Sequence, residues 1–215
     1  MSEQEFMPIE ILGAYIQKEI SSAPNMSLPS QELRDAWKDE LNRVLWIDCE
    51  IDTPCMAIVK QIMEYNRADA GKPVEERMPI KLFIDTNGGS VVVMWTLIKA
   101  IKMSKTPVYT INISSALSAG AHILAAGHKR FAFPGSTVLI HSGSCSYSGT
   151  YEQADSAKKY YDSISKKAED LLVADTKIDT KTLKKKAPSD WYMDEDDALK
   201  YGVVDKIVES YEEIL

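Results

Sequence analysis

The chain has 215 residues, a hydrophobic fraction of 45% and a formal net charge of −7. That length fits one domain, or a domain with a modest appendage, and the acidic balance leaves no basic footprint for nucleic acid or an anionic membrane surface. No apolar run approaches the ~18 residues that span a bilayer, and the acidic start MSEQEFMPIEIL is unlike a basic secretion signal. The three cysteines, Cys49, Cys55 and Cys145, form no C-x-x-C pair for metal or redox work, so a cytoplasmic, reduced protein is expected.

Residues 1–30 read as an N-terminal extension: a short amphipathic helix with Ile9, Leu12, Ile16 and Ile20 on one stripe, then the Ser- and Pro-rich linker SSAPNMSLPS. The main domain is expected over 31–215. Ser30 with Gln31 and Glu32 marks a helix start, and that helix runs to about Arg43. VLWIDC (44–49) is a buried strand. Met56, Val59, Ile62 and Met63 then fall at helical spacing within 54–65. After a charged loop the order becomes regular. IKLFID (80–85) is a strand, TNGG (86–89) a tight turn, and 90–103 a helix. A strand over 107–113 leads to a helix that begins near Ser118 and stops at Gly127. Two short strands, 130–133 and 137–141, flank Pro134-Gly135. Alternation of this kind predicts right-handed βαβ crossovers and a mainly parallel sheet with helices on its faces. A Ser/Gly-rich connection over 142–150 precedes a long amphipathic helix at about 151–174, whose stripe is Ala157, Tyr160, Tyr161, Ile164, Ala168, Leu171 and Leu172. A short basic turn (180–186), the segment Pro188-Ser189-Asp190-Trp191-Tyr192-Met193, a helix stopped by Gly202 and a final strand VVDKIV close the chain.

Ser118 sits where a strand gives way to a helix, among Ala119, Gly120 and Ala121, residues small enough to admit a substrate backbone. A serine there is ordinarily an N-cap, accepting an N–H of the first turn. It becomes a nucleophile only with a base, and a base needs a third group to orient it. There are three histidines. His141 ends a strand just before a flexible connection, where catalytic side chains commonly leave a scaffold. His122 lies four residues after Ser118 but is embedded in AHILAA and reads as a core or subunit-contact residue. His128 reads as a solvated loop residue. For the orienting carboxylate, Asp190 stands out only through its aromatic neighbours, and Asp85 and Asp162 compete with it. Gly88-Gly89 serves either as a tight turn or as an oxyanion-binding N–H at the mouth of the sheet. TNGGSV lacks the G-x-G-x-x-G fingerprint and a Walker-type lysine, which speaks against nucleotide binding.

Several of these segments, in order, resemble the Clp protease proteolytic subunit (ClpP) family of serine peptidases. FIDTNGGSV matches its strand and Gly-Gly turn, SALSAGAHILAAG its nucleophile helix, VLIH the strand before its base, and SDWYMDEDDALKYGVVDKI the segment holding its acid. The likeness runs from about Arg43 to Ile207. It implies Ser118 as nucleophile, His141 as base, Asp190 as acid, and the N–H groups of Gly89 and Ala119 as the oxyanion hole, with no metal and no cofactor. It further implies a ClpP/crotonase-like α/β spiral of β-β-α units with a protruding handle helix at about 151–174. The activity implied is ATP-independent endopeptidase hydrolysis of unfolded proteins and peptides through an acyl-enzyme. The partners implied are polypeptide substrates, further copies of the chain in stacked heptameric rings, and an AAA+ unfoldase. Asn87 stands where the family has Pro, and Ser142-Gly143 where it has Gln-Pro, so cleavage preference departs more readily than the triad. The alternatives are a phage head-maturation or signal-peptide-type peptidase on the same fold, a catalytically silent ring subunit, and a crotonase-like acyl-CoA enzyme.

Overall fold

The computed structural model describes residues 30–143, 146 and 148–214. The amphipathic stripe expected within 1–30 lies outside the described residues. The chain divides into two compact units, 1–40 and 41–215. Helix α1 (Gln31–Leu41), all but its last residue in the first unit, starts at Ser30, whose hydroxyl accepts the Leu33 N–H at 3.2 Å; Leu33 and Trp37 are exposed along it.

The second unit is built on a seven-stranded sheet. In chain order its elements are β1 (Val44–Ile47), α2 (Met56–Ala68), β2 (Ile80–Thr86), α3 (Val91–Met103), β3 (Val108–Leu117), α4 (Ala119–Ala125), β4 (Lys129–Ala132), β5 (Thr137–Ile140), α5 (Tyr151–Asp175), α6 (Thr180–Lys186), β6 (Trp191–Met193), α7 (Glu195–Lys200) and β7 (Lys206–Ile207). The main path is β1-β2-β3-β4-β7, parallel throughout. The expected α/β class with a mainly parallel sheet is what the structure has.

Side chains alternate between the two sides of this sheet, and each side carries a buried apolar cluster. Ile80, Leu82 and Ile84 of β2 face the larger core with Leu97, Ile98 and Ile101 of α3 and Ile58 and Ile62 of α2. Phe83 turns to the other side, into a second cluster with Val44, Ile111 and Phe131. Among the described residues one charged side chain is buried, that of Asp69. Asp69 accepts both guanidinium arms of Arg43, the Lys72 ammonium and the Thr106 hydroxyl, and these donors hold its carboxyl well below the usual carboxylate range.

Besides the final strand, expected over VVDKIV and reduced to Lys206–Ile207, the structure departs from the sequence reading at two elements. Strand β3 does not end at Ile113 but continues through Ser114–Leu117, because it changes partner. Residues Tyr109–Asn112 pair with β4, and Ser115–Leu117 pair with β5. The register with β2 slips between Ile84 and Thr86 at the same level, where the Asp85 carboxylate accepts the Ser115 N–H at 3.2 Å. The second departure is 180–186, a helix rather than a turn; Asp179 caps it by accepting the Thr182 N–H at 2.8 Å. The long helix α5 has 25 residues and opens with a Thr150/Gln153 capping box. Only Ile164, Ala168 and Leu172 of its stripe are buried; Tyr151, Tyr160 and Tyr161 are exposed. Among the described residues no helix is long and apolar enough to cross a membrane.

Candidate active site

Three neighbouring strands deliver the side chains. Leu117 at the end of β3 pairs with Leu139 of β5, so Ser118 and His141 emerge at the same end of adjacent parallel strands. β6 runs antiparallel to β5 with Ile140 opposite Trp191, which brings Asp190 level with His141. The result is a chain of contacts. The Ser118 Oγ lies 2.7 Å from His141 Nε2, and Asp190 Oδ1 lies 3.3 Å from His141 Nδ1. Asp85 and Asp162, the competing carboxylates, are held elsewhere, the first on Ser115 and the second on Lys158 at 2.5 Å.

Ser118 is not the N-cap that its position suggests. Its side chain caps nothing, and its backbone sits at φ 55°, ψ −117°, a region L-residues rarely adopt. Two bonds hold it there: its N–H donates to Leu139 O at 2.9 Å, and its carbonyl accepts the Ala121 N–H at 3.0 Å. Asp190 is a second non-glycine residue at positive φ, 49°. It follows the 3-10 turn Ala187–Ser189, which is tied to the segment after the histidine by Ser142 N–H donating to Ala187 O at 3.1 Å. Trp191 anchors β6, edge-on to Tyr201 and beneath the Lys186 ammonium. The Asp190 side chain is 61% exposed.

The Gly88-Gly89 turn packs directly on this junction. A Cβ at Gly88 would stand 2.8 Å from the Ser118 Cβ and 3.2 Å from the Ala119 nitrogen, and one at Gly89 would stand 2.4 Å from Ile51 O. Both residues have positive φ, 104° and 145°, so no other residue fits this approach. The turn is pinned from outside by Ile51, whose N–H donates to Gly88 O at 2.8 Å and whose carbonyl accepts the Ser90 N–H at 2.7 Å. Among the described residues neither the Gly89 nor the Ala119 N–H donates to a protein acceptor. Donors of that kind, beside a hydroxyl and an imidazole, suit a developing oxyanion.

The other two histidines differ from each other. Packing around His122 pushes its pKa from 6.5 down to about 4; nearby His141 adds to the shift and a hydrogen bond to the Ala168 carbonyl of α5 opposes it. His128 is exposed, as expected of a loop residue, but its Nδ1 accepts the Val108 N–H at 3.1 Å and so closes the β3–β4 connection. Thr86 is the residue that sequence reasoning misses. Its hydroxyl accepts the Gly88 N–H at 3.1 Å, a Ser/Thr turn that a Thr two residues ahead of a glycine foreshadows. No group of three or more His, Cys, Asp or Glu side chains among the described residues is placed to hold a metal ion.

A family model described as Clp protease matches residues 41–211. The chain belongs to that family. Among Clp relatives, the ATP-dependent Clp protease proteolytic subunit of Deinococcus radiodurans is 26% identical over 175 residues, covering 80% of this chain and 83% of its own. The ATP-dependent Clp protease proteolytic subunit 2 of Treponema denticola is 28% identical over 159 residues, covering 73% and 76%. Among solved structures, a ClpP1 point mutant from Listeria monocytogenes aligns with a TM-score of 0.70 at 24% identity, over 82% of this chain and 97% of that one. At that identity the likeness speaks for the fold. In sequence and fold, then, this is a Clp-type peptidase subunit.

Proposed function

We propose that the chain is the peptidase subunit of a self-compartmentalised serine endopeptidase. Ser118 attacks the scissile carbonyl while His141 Nε2 takes its proton, and Asp190 steadies the imidazolium at Nδ1. The N–H groups of Gly89 and Ala119 receive the oxyanion. His141 returns the proton to the leaving amine, and water, activated by the same imidazole, releases the acyl group from Ser118. The observation that carries this reading is the 2.7 Å contact between Ser118 Oγ and His141 Nε2. Stacked heptameric rings that enclose the serines, fed with unfolded polypeptide by an AAA+ unfoldase, are the assembly and partner proposed with it, in a cytoplasmic setting. The exposed tyrosines of α5 support a helix that meets another copy.

The test is covalent. A fluorophosphonate probe should label the wild-type protein and fail to label Ser118→Ala, which should also lose turnover of a fluorogenic peptide. Equal labelling of the two would remove Ser118 from the chemistry. A second reading, a triad that closes fully only on assembly, is favoured by the open placement of the Asp190 carboxylate, 3.3 Å from the imidazole. Labelling rates measured before and after assembly separate it from the first: a rate independent of assembly excludes it.

A further inference from the structure

We infer that Thr86 is a positioning residue for the oxyanion-binding turn: its hydroxyl fixes the Gly88–Gly89 backbone. The inference rests on the roles proposed for Ser118, Gly89 and Ala119. Thr86 ends β2 and is buried, one residue beyond the register slip and opposite Ala116 of β3. Its Oγ1 donates to Cys49 O at 2.6 Å and accepts the Gly88 N–H at 3.1 Å. One hydroxyl thus uses both of its roles, tying the connection that follows β1 to the turn. Its Cγ2 fills the space beside Gly120, where a Cβ would come within 2.6 Å of it.

Two donor groups from different segments must lie close to one point for an oxyanion to bind both. Gly89 comes from the β2–α3 connection and Ala119 from the start of α4. Thr86 touches both segments: the turn through its hydroxyl and α4 through its methyl. With the hydroxyl gone, the Gly88 N–H and the Cys49 carbonyl lose a buried partner, and the backbone bonds left on the turn among the described residues are those to Ile51. A donor displaced by about 1 Å at such a site lowers the rate on the order of 10²-fold, because its strength is needed in the transition state and little in the ground state.

The experiment compares Thr86→Val, which keeps the shape and deletes the hydroxyl, with Thr86→Ser, which keeps the hydroxyl. Turnover of a fluorogenic peptide amide by the assembled protein is the readout, with Ser118→Ala alongside. The expected result is a kcat for Thr86→Val lower by about 10–100-fold, with KM within about twofold. The affinity for a peptide boronate, whose tetrahedral adduct occupies the same donors, should fall in parallel. Thr86→Ser should recover most of both losses, and the acid limb of the pH–rate profile should be the same in all three active proteins. A Thr86→Val kcat within twofold of wild type, or equal losses in the Val and Ser variants, overturns the proposal. If Thr86→Val does not assemble, Thr86→Ala against Thr86→Ser decides the same point, and equal kcat values overturn it. In the wild-type protein the Gly88 amide must exchange slowly with solvent deuterium; exchange at the rate of an open loop also overturns it. Wild-type turnover by Ser118→Ala would instead sink the underlying reading of the site.

Discussion

Asp190 is the residue at which the site is most open. Its carboxylate is 61% exposed, yet only 3.3 Å from the imidazole whose orientation it is proposed to fix. Asp190→Asn retains the shape and removes the charge that stabilises the imidazolium, so kcat should fall by about 10³-fold with little change in KM. Steady-state kinetics on a peptide amide checks this, and a loss under tenfold would assign Asp190 a minor part. Ser118 and His141 are legible from their places in the chain: a small-residue strand–helix junction, and a histidine closing a strand. Asp190 is not separable from Asp85 or Asp162 by the residues themselves, because what selects it is the antiparallel register of Ile140 on Trp191. That register is a long-range property, and only the likeness to a known family points to Asp190. Thr86 escapes notice for a similar reason: the Cys49 carbonyl to which it donates lies 37 residues away in the chain.

At the level of elements, α4 carries a histidine whose protonation the fold resists. His122 has a folded-state pKa of about 4 against an ordinary 6.5, so between these values the unfolded chain binds a proton that the folded chain does not. Stability contributed here is complete above about 6.5, falls as the pH is lowered through that window, and falls no further below about 4. Thermal melts between pH 7.5 and 4.5 should therefore show a decline that His122→Phe flattens; parallel declines in the two proteins would remove His122 as the cause. The sequence reading of His122 as a packed residue agrees with this contact on α5. Helices with a strong apolar stripe and a stop signal, such as 90–103, are readable because periodicity and packing coincide. The last four residues of β3 are not. Ser114-Ser115-Ala116-Leu117 have weak strand preference, and the strand is prolonged because Ser115–Leu117 pair with β5. Helix α6 is hidden likewise: its TKTLKKK buries a single leucine, which leaves no apolar period to read.

Across the whole molecule, α5 has two regimes. Its C-terminal half buries Ile164, Ala168 and Leu172 against the protomer, and Lys102 meets Asp175 at its end at 2.8 Å. Its N-terminal half presents Tyr151, Tyr160 and Tyr161 to solvent while Lys158–Asp162 and Lys159–Asp155 pairs run along the helix. An apolar patch of that kind on a helix with its own capping box fits a contact between copies. Sedimentation or negative-stain imaging should find a ring-sized particle, and Tyr160→Asp should shift it towards smaller species; a wild-type monomer at micromolar concentration would contradict the compartment.

Asp190 leads into β6, a strand of three residues whose one strand partner among the described residues is β5, off the main path of the sheet. Short edge pairings fray before a buried core gives way. Warmed or treated with mild urea, the protein should fall silent while its circular dichroism still looks native, so that the assay and the spectrum report two separate midpoints. Quiescence would then be reversible on cooling or dilution, a latency built into the folded chain itself.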